Sequence, residues 1–166
     1  YNVINEEAII AKTITTNTDL TLPTTLGDYP VTKVANMGVA NCTSLKNIEL
    51  PSSILNIRSC AFQNCSSLES VTIPEGVTYI NNSSFYGCRS LQSIVLPNSL
   101  EAIDAYAFKE CIKLTNITIP DNVTTIGQDA FTNTPFTNNP FTENSKLTSI
   151  HKNAFFFTCK HPGCER

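Results

Sequence analysis

A repeat solenoid is the fold class that this sequence predicts, and three observations carry it. The chain repeats itself every twenty-three residues, a proline returns once in each period, and a phenylalanine follows that proline at a constant distance. Four consecutive copies stay in register, beginning at Cys42, Cys65, Cys88 and Cys111. A fixed period between about 20 and 50 residues means stacked supersecondary units, each too small to bury its apolar face alone.

The elements follow in chain order. Residues 1–41 read as an N-terminal cap and an atypical first turn, with apolar Ala8-Ile9-Ile10, then Leu20-Thr21-Leu22 stopped by Pro23. The segment from Leu26 to Val34 lengthens the next connection by five residues before register resumes at Val34, Val39 and Cys42.

Residues 42–133 are four regular repeats. Each opens with a short strand that alternates apolar and polar positions: Leu45, Ile48 and Leu50; Leu68, Val71 and Ile73; Leu91, Ile94 and Leu96; Leu114, Ile117 and Ile119. Pro51, Pro74, Pro97 and Pro120 then end these strands, because proline has no donor for a ladder and a fixed φ. The chain turns inward again at Ile54 and Ile57, Val77 and Ile80, Leu100 and Ile103, Val123 and Ile126. Phe62, Phe85, Phe108 and Phe131 come five residues later, so stacked turns put their rings in one column at the strand spacing of about 4.8 Å.

Residues 134–157 form a degenerate C-terminal turn. Pro135-Phe136-Thr137-Asn138-Asn139 is echoed by Pro140-Phe141-Thr142-Glu143-Asn144, and Phe136 and Phe141 are expected in the slots that Leu114 and Ile117 fill one turn earlier. Register returns at Leu147, Ile150, Ala154 and Phe155. Of the Phe155-Phe156-Phe157 cluster, one ring is expected to continue the column and the others to cap the open end, with contact to a partner as the alternative.

Residues 158–166 are a cysteine-containing tail. Cys159, His161 and Cys164 bring two thiols and an imidazole within six residues, but a structural zinc site wants four ligands and only His151 is near. No metal is expected. A tail with free thiols and a Cys159–Cys164 disulfide both stay open.

At 166 residues the chain has the length of one domain, and 41% hydrophobic residues suffice for a core. A net charge of -3, with eleven basic residues scattered singly, provides no basic stripe for nucleic acid. No apolar run approaches eighteen residues, so no membrane insertion is expected. The chain starts at Tyr1 without a targeting segment, which suits a processed secreted protein or an excised piece. Asn-x-Ser/Thr triplets begin at Asn41, Asn64, Asn81, Asn82, Asn116 and Asn122.

Cys42, Cys65, Cys88 and Cys111 share one column, which Thr134 continues. Side chains in register lie alongside one another rather than meeting, so buried thiols acting as small hydrophobes are expected, not disulfides. Cys60 shares a variable slot with Ser83, Tyr106 and Asp129 and is expected at the surface. With His151 and His161 both near the C-terminus, no acid, base or nucleophile constellation emerges. Glu101 and Asp104 read as solvated charges, no phosphate loop is present, and no cofactor is expected.

The pattern C-x-x-L-x-x-I-x-I-P-x-x-V-x-x-I-x-x-x-A-F resembles the BspA-type leucine-rich repeat of bacterial and protist surface proteins. The resemblance spans about residues 20 to 157, from the lead-in Leu22-Pro23 to the irregular turn Asn133-Thr134-Pro135-Phe136. It implies a right-handed leucine-rich-repeat coil with a parallel β-sheet on its concave face and short strands, turns or 3-10 helix on its convex face. It also implies adhesion, and carries no catalytic residues.

In such a coil the outward strand residues form ladders on the concave face. Here they are Asn47, Ser70, Ser93 and Asn116; Glu49, Thr72, Val95 and Thr118; and Lys46, Glu69, Gln92 and Thr115. They are the candidate ligand-binding residues, polar and free of the Tyr, Trp and Arg anchors of tight interfaces. The expected function is a non-catalytic module of a cell-surface or secreted protein that binds a protein or surface glycan. A structural spacer or intracellular scaffold is the alternative, and a carbohydrate-active enzyme a remote one.

Overall fold

Each period closes one turn of a coil, and each turn hydrogen-bonds to the next along the coil axis. The computed structural model describes residues 2–4 and 7–156. No α-helix occurs among them.

Two parallel sheets run along the coil. At its start β1 (Asn2–Ile4) lies antiparallel on β2 (Glu7–Ile10), then come β3 (Asp19–Thr21), β4 (Thr25–Leu26) and β5 (Tyr29–Val34). β4 pairs antiparallel with β5, so the lengthened connection around Gly27 is a small hairpin. The regular turns add β6 (Asn47–Glu49), β7 (Asn56–Ile57), β8 (Ser70–Thr72), β9 (Tyr79–Ile80), β10 (Ser93–Val95), β11 (Ala102–Ile103), β12 (Thr125–Ile126) and β13 (Ser149–Ile150).

One sheet runs β3-β6-β8-β10, the other β2-β5-β7-β9-β11-β12-β13. In the second, Val34, Ile57, Ile80, Ile103 and Ile126 stand opposite one another and are buried. Ile150 ends this row 46% exposed, since no described strand lies beyond β13.

The first sheet is shorter than expected. No strand forms at Leu114–Ile119, where only Ile119 makes an isolated parallel bridge, to Phe141. The next turn explains why that ladder stays thin: its strand stretch is bracketed by Pro135 and Pro140, which have no N–H to donate.

That irregular turn also moves one ring. Thr137 donates its N–H to Thr115 as Gln92 does to Glu69, which puts Phe136 in the slot of Leu114. Phe141, however, bridges Ile119 and not Ile117, correcting the expected placement. The turn has lost one residue by this point. It regains two before Thr148, whose N–H donates to Thr124 in the regular manner, and so Phe155 lands on Phe131 after twenty-four residues.

A third ladder, at the Phe corner, belongs to neither sheet. Val39, Phe62, Phe85, Phe108 and Phe131 donate their N–H to the carbonyls of Ala61, Ser84, Ala107, Ala130 and Ala154 in the following turn, at 2.7 to 2.9 Å. The second residue on either side of each, Asp129 excepted, donates likewise, as Cys60 does to Asn82 and Asn64 to Tyr86. Alternate N–H groups can point along the axis because the flanking residues are left-handed. Met37, Cys60, Ser83, Tyr106 and Asp129 have φ of 51° to 59°, and Asn41, Asn64, Gly87, Glu110 and Asn133 have φ of 58° to 73°. Cys60 is thus half-buried, held by a backbone constraint and not loose at the surface.

The core between these ladders is the predicted column. Phe62, Phe85, Phe108 and Phe131 are fully buried, their ring centroids 5.1, 5.4 and 5.3 Å apart and their planes within 11° of parallel. Phe155 continues the stack at 5.1 Å, while Phe136 and Phe141 meet it edge-on. Phe156 is 53% exposed, and Phe157 lies outside the described residues.

Truncating Phe85 or Phe108 to Ala is expected to cost about 3–5 kcal/mol in chemical denaturation, and an unchanged unfolding midpoint would contradict the stacked core. At the left-handed slot, Ser83→Val is expected to cost about 1–2 kcal/mol while Ser83→Gly stays near neutral, and equal effects of the two would refute a backbone cause.

Candidate functional site

The outward residues of β6, β8 and β10 are exposed because the inward ones, Ile48, Val71 and Ile94, take the strand's buried face. Asn47, Glu49, Ser70, Thr72, Ser93 and Val95 lie here in two-residue alternation, with Lys46, Glu69 and Gln92 at the strand entrances. Lys46 and Glu69 form an ion pair at 3.8 Å with both side chains about half exposed, a contact worth little in water. Val95, at 58% exposure, is the one large apolar side chain of the ladder.

The face extends one strand further toward the N-terminus than the expected set. Asp19 accepts a hydrogen bond from Asn47 Nδ2 at 2.7 Å, and Thr21 donates to Glu49 Oε2 at 3.0 Å. Hydrogen bonds from Thr18 and Asn47 hold the Asp19 carboxyl below its ordinary value. The pattern Leu20-Thr21-Leu22-Pro23, the same strand and stop as in the repeats, was the signal for this row.

At the other end the ladder residues Thr115, Asn116 and Thr118 stand outside any strand. Asn116 Oδ1 accepts from Thr137 Oγ1 at 3.0 Å and Asn138 Nδ2 at 2.9 Å, so the irregular turn ties this part of the face together by side chains.

A depression of about 460 Å³ opens between β6 and β8. Ile48, Leu50, Val71 and Pro74 supply its apolar lining, and Glu49, Ser52, Ser70, Thr72 and Glu75 its polar lining. Ser52 and Glu75 were missed from the sequence because each lies one residue past the proline stop. Reading the corner along with the strand would have found them.

The other sheet lines up Lys33, Asn56, Tyr79, Ala102, Thr125 and Ser149 in one row, of which Tyr79, Thr125 and Ser149 are exposed and Ala102 is buried. Tyr79 is 46% exposed and donates its hydroxyl to Glu101 at 3.3 Å, with Leu55, 52% exposed, in the preceding turn. Thr32 Oγ1 and Asn56 Oδ1 are buried here without a hydrogen-bond partner.

The cysteine column lies inside the coil. Cys42, Cys65, Cys88 and Cys111 are free and buried. They act as more than small hydrophobes. Cys65, Cys88 and Cys111 donate their thiols to the carbonyls of Val39, Phe62 and Phe85 in the preceding turn, at 3.1, 3.2 and 3.2 Å. Thr134 makes the same contact to Phe108 at 2.8 Å, which explains why threonine follows cysteine in this column. Burial pushes the Cys65 thiol up to about 12 and raises Cys88 and Cys111 as well, the reverse of what a nucleophile needs.

Burial also raises the Asp104 carboxyl. No group of three or more His, Cys, Asp or Glu gathers among the described residues. Cys159, His161 and Cys164 lie outside them.

The family model described as BspA type leucine rich repeat region, in 6 copies, matches residues 32–161. Among solved structures, a leucine-rich repeat protein from Bacteroides ovatus is 32% identical with a TM-score of 0.64, covering 83% of this chain and 34% of its own. A T. pallidum leucine rich repeat protein is 30% identical with a TM-score of 0.72, over 88% of this chain and 64% of its own. A leucine rich cell surface protein from Faecalibacterium prausnitzii is 28% identical with a TM-score of 0.50, over 88% and 50%. This chain therefore spans between about a third and two thirds of the length of these structures. No curated protein matches it significantly.

Labelling the native protein with a thiol reagent near neutral pH, followed by peptide mapping, is expected to mark Cys60 first among the described thiols. The buried column should label only on unfolding, and rapid native labelling of Cys88 would contradict it. The raised thiols also fix a pH dependence. The folded state holds these protons more tightly than the unfolded one, so their contribution is intact below the ordinary value of 9.0 and is lost as pH climbs toward about 12 for Cys65. Urea denaturation should show stability falling above about pH 9, by up to about 1.4 kcal/mol per pH unit for each of Cys65, Cys88 and Cys111.

Proposed function

Because the chain belongs to the BspA-type leucine-rich repeat family, we propose that it is a non-catalytic binding module of a cell-surface or secreted protein, engaging a protein partner through the face of β3, β6, β8 and β10. One observation carries this reading. The phenylalanine, aliphatic and cysteine columns are consumed by packing, and what the coil leaves exposed turn after turn is the polar ladder, where the depression opens. The similarity to the Faecalibacterium prausnitzii leucine rich cell surface protein supports the location.

The chemistry of the face favours adhesion by several weak contacts. Small hydroxyl and amide side chains give shallow, adaptable hydrogen bonding, and no aromatic anchor lies on these strands to concentrate the energy. Many copies on one surface would raise such contacts to useful avidity without any new interaction.

The test is a binding panel of purified matrix proteins with a glycan array beside it. Wild type is compared with a variant carrying Glu69→Ala, Gln92→Arg and Ser93→Arg, all exposed or half-exposed positions. Binding to a panel protein that falls at least about tenfold in the variant, with the unfolding curve unchanged, is the expected result. Binding insensitive to the variant, or confined to glycans, would overturn the proposed face or its partner class.

A further inference from the structure

We propose that the depression between β6 and β8 receives a cationic side chain, lysine or arginine, of the protein partner. The proposal deepens the binding-face reading and rests on it.

Two features of the depression fit that chemistry together. Its lining is apolar at Ile48, Leu50 and Pro74, enough for the methylene stem that both cationic residues lay along apolar surface. Its rim carries Glu49 from the end of β6 and Glu75 from the corner after β8. Long basic side chains are the protein groups that need both surfaces at once, whereas an aliphatic side chain would leave the two carboxylates unused.

The carboxylates are set for a partner from outside. Three acidic groups of the described residues find a cation in the chain, Glu69 with Lys46, Glu110 with Arg89 and Asp129 with Lys109. Glu49 and Glu75 make no such pair among the described residues. Each is oriented by one neutral donor to one oxygen, Thr21 Oγ1 at 3.0 Å to Glu49 Oε2 and the Asn98 N–H at 3.1 Å to Glu75 Oε1. The second oxygen of each carboxylate remains for a charge-assisted hydrogen bond, stronger and shorter than a neutral one. Asp19 on the neighbouring strand adds to the negative potential of the face.

Titration of isotope-labelled protein with Nα-acetyl-lysine amide and Nα-acetyl-arginine amide, followed by amide NMR shifts at low ionic strength, tests the slot. Saturable shifts confined to residues 48–52 and 70–76 are expected, weakened at least about tenfold by Glu49→Gln with Glu75→Gln and unchanged by Glu143→Gln. Nα-acetyl-norleucine amide, which keeps the stem and lacks the charge, should give no saturable shifts. Equal shifts with norleucine, shifts spread over all acidic residues, or full binding by the double variant would overturn the proposal.

The two readings fail separately. A panel protein lost by the Glu69/Gln92/Ser93 variant but bound undiminished by the Glu49/Glu75 variant would leave the face standing and remove the slot. Loss of that protein by both variants, with the lysine probe in place, supports the slot.

Discussion

The fold depends on the hydrogen bonds that run along the coil axis at the Phe corner. They fix the rise from one turn to the next, and every other repeated feature is fitted to that rise. A helix satisfies its backbone within itself and can sit at many distances from its neighbour. A turn of this coil has its donors aimed at the next turn, so the spacing is settled before side chains pack. Rings held in such register overlap at 5.1 to 5.4 Å, slightly more than the strand spacing of about 4.8 Å, because they stack with an offset. The thiols bond backward to the carbonyls of the turn before, while the corner N–H groups bond forward. Each turn is thus joined to both neighbours by polar contacts buried among apolar ones, where an unmade hydrogen bond is costly.

How legible this was from the sequence follows from whether a position is fixed by its side chain or by its backbone. Phe62 to Phe131, the inward Ile and Val rows, and the prolines are selected by volume or by a missing donor, so their identity recurs and periodicity exposes them. The left-handed corner positions are selected by φ alone. Met37, Cys60, Ser83, Tyr106 and Asp129 share nothing in composition, and a row of such residues reads as a tolerant surface slot. Only the second row, where Asn and Gly dominate, carries the usual mark of positive φ. The cysteine column fell between these cases: its smallness and burial were readable, but its role as donor appears only when the carbonyl of the preceding turn is placed against it. Thr134 was the clue in the sequence, since threonine replaces cysteine where a small buried donor is wanted.

The candidate face divides in the same way. Strand alternation identified Asn47, Ser70, Ser93 and their neighbours as outward, because a period of two leaves no other choice once Ile48, Val71 and Ile94 are inward. The depression was not readable by that rule. It forms where a strand residue of one turn, Glu49, comes beside a corner residue of the next, Glu75, twenty-six positions away and outside the alternating stretch. A one-dimensional pattern records what repeats at one period. A slot between turns is defined by residues that differ from one turn to the next.

That difference is also what such an architecture leaves open to change. With the axial ladder, the ring stack and the thiol contacts holding the rise, the outward positions are free of any packing duty, and Lys46, Glu69, Gln92 and Thr115 occupy one row without disturbing the turns that carry them. The irregular turn marks the boundary of this freedom. There one residue is lost and two are regained, β pairing lapses beside Leu114–Ile119, and the coil recovers only because Phe136 and Phe141 reach in edge-on against Phe131 and Phe155. A change of length is absorbed where large aromatic side chains can refill the core, whereas a change of outward chemistry needs no compensation at all. The chemistry of the proposed binding face can therefore shift by substitution along β3, β6, β8 and β10, while the backbone that presents it stays the same.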